Sequence, residues 1–213
     1  MMSRGRFITF EGGEGCGKST QIARLKSALE AKGIKVTLVR EPGGTWLCEE
    51  IRRLIKDQDR EVPCGGAELL MFLAARAQLV DRVIRPALEA GEWVVSDRFS
   101  DSTVAYQGYG RGLPLDIIAG ANEFACGGLK PDLTLLLDVP LETALERRRR
   151  REEARNVQAD RFEREGGGFH DRIRRGFAEL AKAEPGRIVT IDADGSPDEV
   201  WAEVSRAVEE RLG

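Results

Sequence analysis

The stretch "GGEGCGKS" fits the pattern G-x-x-x-x-G-K-[ST] from Gly12 to Ser19, and Thr20 follows it. An apolar run precedes it and a helical pattern follows, the context that this motif requires. Small residues at Gly12, Gly13, Gly15, Cys16 and Gly17 let backbone N–H groups turn inward around a phosphate. The helix N-terminus adds favourable charge. Lys18 then reaches the β- and γ-oxygens of a nucleoside triphosphate, and the Ser19 hydroxyl can ligate Mg²⁺. Cys16 need only be small here. Glu14 is the odd member, a carboxylate in the middle of a loop built for anions.

A second group of residues suggests where a phosphoryl group would go. Asp97 closes the apolar run "WVVSD" and Arg98 follows it. At the carboxyl edge of a sheet, where α/β proteins keep their sites, the Asp can orient Mg²⁺ through water and the Arg can face an anion. "REPGGT" places Arg40 in the same way, beside a turn that admits close backbone approach. Phe72 and Arg76 stand four residues apart, on one helix face. There the ring could stack on a base while the guanidinium bonds its edge.

These groups need a scaffold. Five β-prone runs, at 6–11, 35–41, 93–98, 133–139 and 187–193, lack clean alternation, which predicts strands buried on both faces. Helical patterns lie between them. Ile22, Leu25 and Leu29 share a face over 18–31, and Val200, Val204 and Val208 do so in a C-terminal helix capped by Ser196. Residues 66–91 predict one or two helices, with a break at Pro86. The alternation predicts an α/β fold: a P-loop domain over residues 1–213, with a five-stranded parallel sheet flanked by helices on both faces. The glycines of "REGGGF", 164–169, predict a hinge.

Composition narrows the function classes. A net charge of −3 argues against a dedicated nucleic-acid binder. The four cysteines lack metal-site spacing and read as free thiols in a reducing, cytoplasmic setting. No apolar run approaches the ~18 residues of a membrane span, and the N-terminal segment lacks a secretory core.

The chain resembles the bacterial thymidylate kinases. The resemblance rests on "FITFEGGEGCGKSTQ", "REPGGT", "LLMFLAARAQ", "VVSDRFSDSTVAYQG", "KPDLTLLLDV" and "DRFE", in order and over almost the whole chain. It implies transfer of the γ-phosphoryl group of ATP to thymidine 5′-monophosphate (dTMP), with Mg²⁺, in a cytoplasmic homodimer. By the same resemblance Arg40 and Arg98 would hold the acceptor phosphate. Phe72 would stack on thymine, and Arg76, Thr103 and Gln107 would read its edge. Tyr106 would pack on the sugar and disfavour a 2′-hydroxyl, Glu14 would meet the 3′-hydroxyl region, and Glu163 would lie near the nucleotide pair. Some members of that family carry a catalytic arginine just after the loop acid, and others carry it in a lid. Here that position is Gly15, so the lid type is implied, with a mobile lid over about 146–168. Two of Arg149, Arg151 and Arg155 would supply the charge. A kinase of another nucleoside monophosphate and a P-loop ATPase switch are the alternatives; a pocket for an acceptor phosphate has no use in a switch.

Overall fold

A computed structural model describes residues 4–56, 61–155, 161–162 and 164–213; for Arg151, Glu152, Ala154 and Arg155 it describes the backbone alone. All five expected strands form: β1 (Phe7–Glu11), β2 (Val36–Arg40), β3 (Trp93–Asp97), β4 (Leu133–Asp138) and β5 (Ile188–Asp192). They make one parallel sheet in the order β2-β3-β1-β4-β5. The register pairs Asp97 with both Phe10 and Arg40. The ends of β1, β2 and β3 therefore lie level, and the phosphate loop, Arg40 and Asp97 leave the sheet at one edge.

Helices cover both faces. Helix α1 (Lys18–Ala31) packs Ile22, Leu25 and Leu29 onto one face, together with Val200, Val204 and Val208 of the C-terminal helix α9 (Pro197–Leu212). Helix α9 opens with the expected Ser196 cap, reciprocated by Glu199 in a capping box. The opposite face carries α2 (Trp46–Lys56), α3 (Gly65–Leu79) and α8 (Gly167–Ala183). Short α4 (Arg85–Glu89) and α5 (Ser100–Thr103), then α6 (Leu115–Cys126) and α7 (Leu141–Arg155), complete the helices. Each large side chain buried in these layers contributes about 1.5–3 kcal/mol.

Three sequence expectations change. Burial on both faces holds for β1 and β4 but not for the edge strands β2 and β5, where Leu38 and Thr190 are exposed. Pro86 does not break its helix. A π-helical turn, Val80–Ile84, bridges α3 and α4. Its wider hydrogen-bond spacing absorbs the missing N–H and the ring clash of a helical proline. The glycine run opens a helix instead of forming a hinge: Gly166 is the N-cap of α8, and Gly167 and Gly168 form its first turn.

Candidate active site

The phosphate loop connects β1 to α1. Gly17 caps α1 at φ 93°, and no acidic residue occupies the helix's first turn, so its positive end is open to an anion. Lys18 is nearly buried and donates from Nζ across its own loop, to Gly12 O at 3.2 Å and Gly13 O at 2.8 Å. An ammonium tethered to backbone carbonyls can be drawn onto a phosphate at small cost. Cys16 is buried and its Sγ donates to Gly13 O at 3.0 Å, which fits a packing role. Gly15 lies at φ +78°, and a Cβ there would stand 2.4 Å from Ala144 O at the start of α7. The loop has no room for a side chain at that position.

Beyond Lys18 opens a cavity of about 430 Å³. It brings together Glu14, Gly15, Gly17, Lys18, Ser19, Thr20, Arg40, Phe72, Arg76, Asp97, Arg98, Thr103, Tyr106 and Gln107. Residues from both sequence groups, the phosphate loop and the strand ends, thus share one space.

Arg98 stands at its centre. Its φ of 71° is the one positive value at a non-glycine residue among those described, a strained placement of the kind found at sites. Ser96 and Glu11 hold the turn in that shape. The Ser96 hydroxyl donates to Arg98 O at 2.6 Å, while the Glu11 carboxyl accepts from Phe99 N–H and the Ser102 hydroxyl. Burial, with Asp101 nearby, pushes Glu11 up to about 8. The Arg98 guanidinium donates to Gly12 O at 2.9 Å and to Glu14 Oε1 at 2.6 Å, and lies 5.0 Å from the centre of the Tyr106 ring. Burial raises the pKa of Glu14, but Arg98 and Lys18 overcome it and hold the carboxyl well below the usual range. Glu14 thus faces Arg98 in the cavity and is ionised at neutral pH.

The aromatic wall comes from four elements. Tyr106 sits in a π-helical turn, Val104–Gly110, that continues α5; such turns are frequent at sites. Its ring meets Phe162 and Phe169 edge-on, and Phe72 meets Phe162 with ring centres 6.0 Å apart. The Tyr106 hydroxyl is buried with no partner among the described residues. Arg76 is fully buried. Its Nε and Nη2 donate to Glu41 Oε2, Nη1 donates to Asn122 Oδ1, and Nη2 also donates to Phe99 O. Four of its five N–H groups are engaged, which leaves one on Nη1. Arg40 is clamped at the rim by both oxygens of Glu49, at 2.7 and 2.8 Å.

The donor set also admits a divalent cation. Asp97 Oδ1 is buried and accepts no hydrogen bond among the described residues, and it shares the cavity with the Ser19 hydroxyl. No cluster of three or more His, Cys, Asp or Glu is present among the described residues. A small set of hard oxygens suits Mg²⁺, which takes its remaining ligands from water and phosphate.

One expected residue does not join the site. Arg149 is on the solvent side of α7, 73% exposed and 3.7 Å from Glu153, because on a solvated helix an i,i+4 acid is its nearest partner. Arg147 lines the cavity instead, but its guanidinium is tied to the carbonyls of Ala193, Asp194 and Gly195. Glu163 and the side chains of Arg151 and Arg155 lie outside the described residues. The sequence reading missed Glu41, Glu68 and Phe162. Glu68 carried a signal: with Phe72 and Arg76 it makes an i, i+4, i+8 series along the cavity face of α3.

The thymidylate kinase family model matches residues 10–204. A thymidylate kinase of Trichlorobacter lovleyi is 47% identical over 207 residues, 97% of this chain and 98% of that protein. One of Deinococcus radiodurans is 49% identical over 210 residues, 99% of each. A crystal structure of thymidylate kinase from Ehrlichia chaffeensis superposes with a TM-score of 0.75 at 33% identity, covering 96% of this chain and 99% of that one. With a phosphate loop and aromatic side chains lining one cavity, and likeness over nearly the full chain, this protein belongs to the thymidylate kinase family and phosphorylates dTMP to dTDP with ATP.

Proposed function

We propose the following division of labour for that reaction. Backbone N–H groups of residues 12–20 and Lys18 hold the ATP phosphates. Arg98 and Arg40 hold the dTMP phosphate, and Phe72, Arg76, Thr103 and Gln107 take the base. Glu14 and Tyr106 flank the sugar. Tyr106 packs on the sugar and disfavours a 2′-hydroxyl, and Glu14 carries an ionised carboxylate suited to the 3′-hydroxyl. The observation that carries this reading is the single cavity in which Lys18 and Arg98 meet.

The chemistry needs little more than placement. An oxygen of the dTMP phosphate forms a bond to the γ-phosphorus as the bond from that phosphorus to the ADP oxygen breaks, in line. The attacking oxygen is already ionised near pH 7, so no protein nucleophile or strong base is required. Lys18 follows the charge as it moves toward the leaving oxygen. Arg98 fixes the attacking phosphate in a near-attack position, and its tie to Gly12 O keeps the two phosphate sites in register. Ser19 and Asp97 would hold Mg²⁺, which when bound screens the charge between the two nucleotides.

The lid-arginine type is part of the proposal. The lack of space at Gly15 supports it, since a loop arginine cannot be built there. We also propose a homodimer, supported by Leu70, Ile117 and Phe124, which stand exposed on neighbouring helices α3 and α6. Leu69 and Leu73 of the same region are core. No helix among the described residues is long and apolar enough to cross a membrane, and a cytoplasmic location is proposed.

The test is a coupled ADP-release assay on Lys18→Ala and Arg98→Ala. Both should lose turnover by about 10³-fold or more, as expected for a removed charge contact in a dry site. Lys18→Ala should weaken ATP, and Arg98→Ala should weaken dTMP. Near-normal turnover in either variant, with the fold intact by circular dichroism, overturns the assignment of roles.

A further inference from the structure

Glu68 is a fully buried carboxylate that the phosphoryl transfer does not use. It sits in the first turn of α3, one turn before Phe72 and two before Arg76. Its Oε1 accepts from Gln107 Nε2 at 2.8 Å and from Arg111 Nε at 3.2 Å. Its Oε2 accepts from Arg161 Nη2 at 2.7 Å and Arg111 Nη2 at 3.2 Å. Both oxygens are thus fixed by guanidinium groups from two separate segments, and the carboxylate cannot turn away from Gln107.

This arrangement decides a question of chemistry. A glutamine amide has a donor end and an acceptor end, and it can flip between them. An ionised carboxylate only accepts, so Gln107 must give it the NH₂ end. Gln107 is almost fully buried and lines the cavity. What it has left for a ligand is the carbonyl oxygen, an acceptor. Arg76, with one N–H remaining on Nη1, can offer the cavity only a donor. A donor beside an acceptor matches the O4 and N3–H edge of thymine. It opposes cytosine, which presents an amino donor and a bare N3 in the same places.

We infer that Glu68 is a positioning residue for base selection: by fixing the Gln107 amide it makes the pocket accept an imide N3–H and reject an amidine-type N3. The inference rests on the reading of Gln107 as a base contact. It also explains why an acid is buried where no substrate charge needs it. An apolar residue at position 68 would leave the amide free to flip and would also take from Arg111 and Arg161 the acid that pairs with both.

The experiment compares dTMP with 5-methyl-deoxycytidine monophosphate, which has thymine's shape and methyl group but the reversed edge. The ratio of their kcat/KM values is measured for wild type, Glu68→Gln, Glu68→Asp and Gln107→Ala, with Ki taken where the cytosine analogue is not turned over. In Glu68→Gln the Arg111 and Arg161 guanidiniums claim the new carbonyl oxygen, the new NH₂ faces Gln107, and Gln107 flips to offer its own NH₂ to the ligand. The discrimination ratio should fall about 10- to 100-fold, mostly through KM or Ki, since a mismatched buried hydrogen-bonding pair carries a penalty of that size. Glu68→Asp keeps the charge but withdraws the acceptor from Gln107, so it should reduce the ratio even if Glu68→Gln folds poorly. Melting temperatures separate folding from selection. An unchanged ratio in both Glu68 variants overturns the inference, and so does an equal loss for both nucleotides. If Gln107→Ala leaves the ratio unchanged, the reading of Gln107 as a base contact fails instead.

Discussion

Two arginine-bearing helices border the cleft, and they treat the same side chain in opposite ways. On α3, Arg76 is 1% exposed and its guanidinium is bound by Glu41, Asn122 and Phe99 O. On α7, Arg149 and Arg150 are more than 70% exposed and pair with acids on their own helix. Arg76 is a fixed donor: its position was settled when the protein folded, so a ligand meets it without an ordering cost. Arg149 and Arg150 are held only by solvated pairs on their own helix, and any use of them in catalysis must be preceded by a rearrangement. Reading a base requires the first condition. Charge that serves only the transition state tolerates the second, because a segment that closes late can exclude water as it brings the charge.

The sharpest way to break this comparison is to remove the fixed donor. Arg76→Met preserves length and much of the volume but strands the Glu41 carboxyl, which is itself buried. Removing one partner of a buried pair costs about 3–5 kcal/mol. We expect a marked drop in melting temperature and loss of dTMP use by at least about 10³-fold, more than a single hydrogen bond would explain. A second change, Glu41→Gln, should restore part of the stability and none of the base recognition. If the double variant recovers dTMP use as well, Arg76 is structural and the contrast with α7 collapses.

What could be read in the sequence follows the same division. The five strands, the phosphate loop and the level ends at Arg40 and Asp97 were legible because each rests on short-range pattern: apolar runs, a glycine turn, a residue at a strand end. The pairing of Phe72 with Arg76 was legible from helical spacing. Glu41 was not, since its partner Arg76 is 35 positions away and nothing local marks a buried acid. Glu68 was half legible, being on the i, i+4, i+8 series, but its partners Gln107, Arg111 and Arg161 are brought by other elements. The strain at Arg98 left no pattern, because the Glu11 carboxyl that holds the following turn comes from a distant strand. On α7 the charge pattern is periodic at several registers at once, so spacing alone could not say which arginine faces the cleft. The backbone carbonyls of the β5–α9 connection settle that for Arg147 alone.

A smaller effect sharpens the border between the two regions. Gly15 is where the phosphate loop meets the first turn of α7, with Ala144 O 2.4 Å from where a Cβ would stand. Gly15→Ala must strain the loop at φ +78° or push α7 away. The expected cost is about 1–3 kcal/mol of stability. Turnover should fall by about tenfold to hundredfold through misplacement of the loop, in line with the sensitivity of catalysis to small displacements. Gly15→Arg should be no more active than Gly15→Ala, since its side chain meets the same obstacle. An active Gly15→Arg enzyme would show that α7 yields easily, and that an arginine here could serve from the loop.

The smallest expected effect concerns Arg149. Exposed i,i+4 pairs are worth about 0.3–0.5 kcal/mol, so Arg149→Ala should leave the melting temperature almost unchanged. If Arg149 stays on the solvent face throughout the cycle, kcat for dTMP should remain within about threefold of wild type, the range of an exposed substitution away from the chemistry. The same substitution at Arg151 and at Arg155, run beside it, identifies which arginine of α7 contributes. A drop of about a hundredfold in kcat for Arg149→Ala, with KM for both nucleotides unchanged, would mean that Arg149 leaves Glu153 and enters the cleft when both substrates are bound. The exposed position on α7 would then be a resting place, and the difference between the two helices would be one of timing rather than of role.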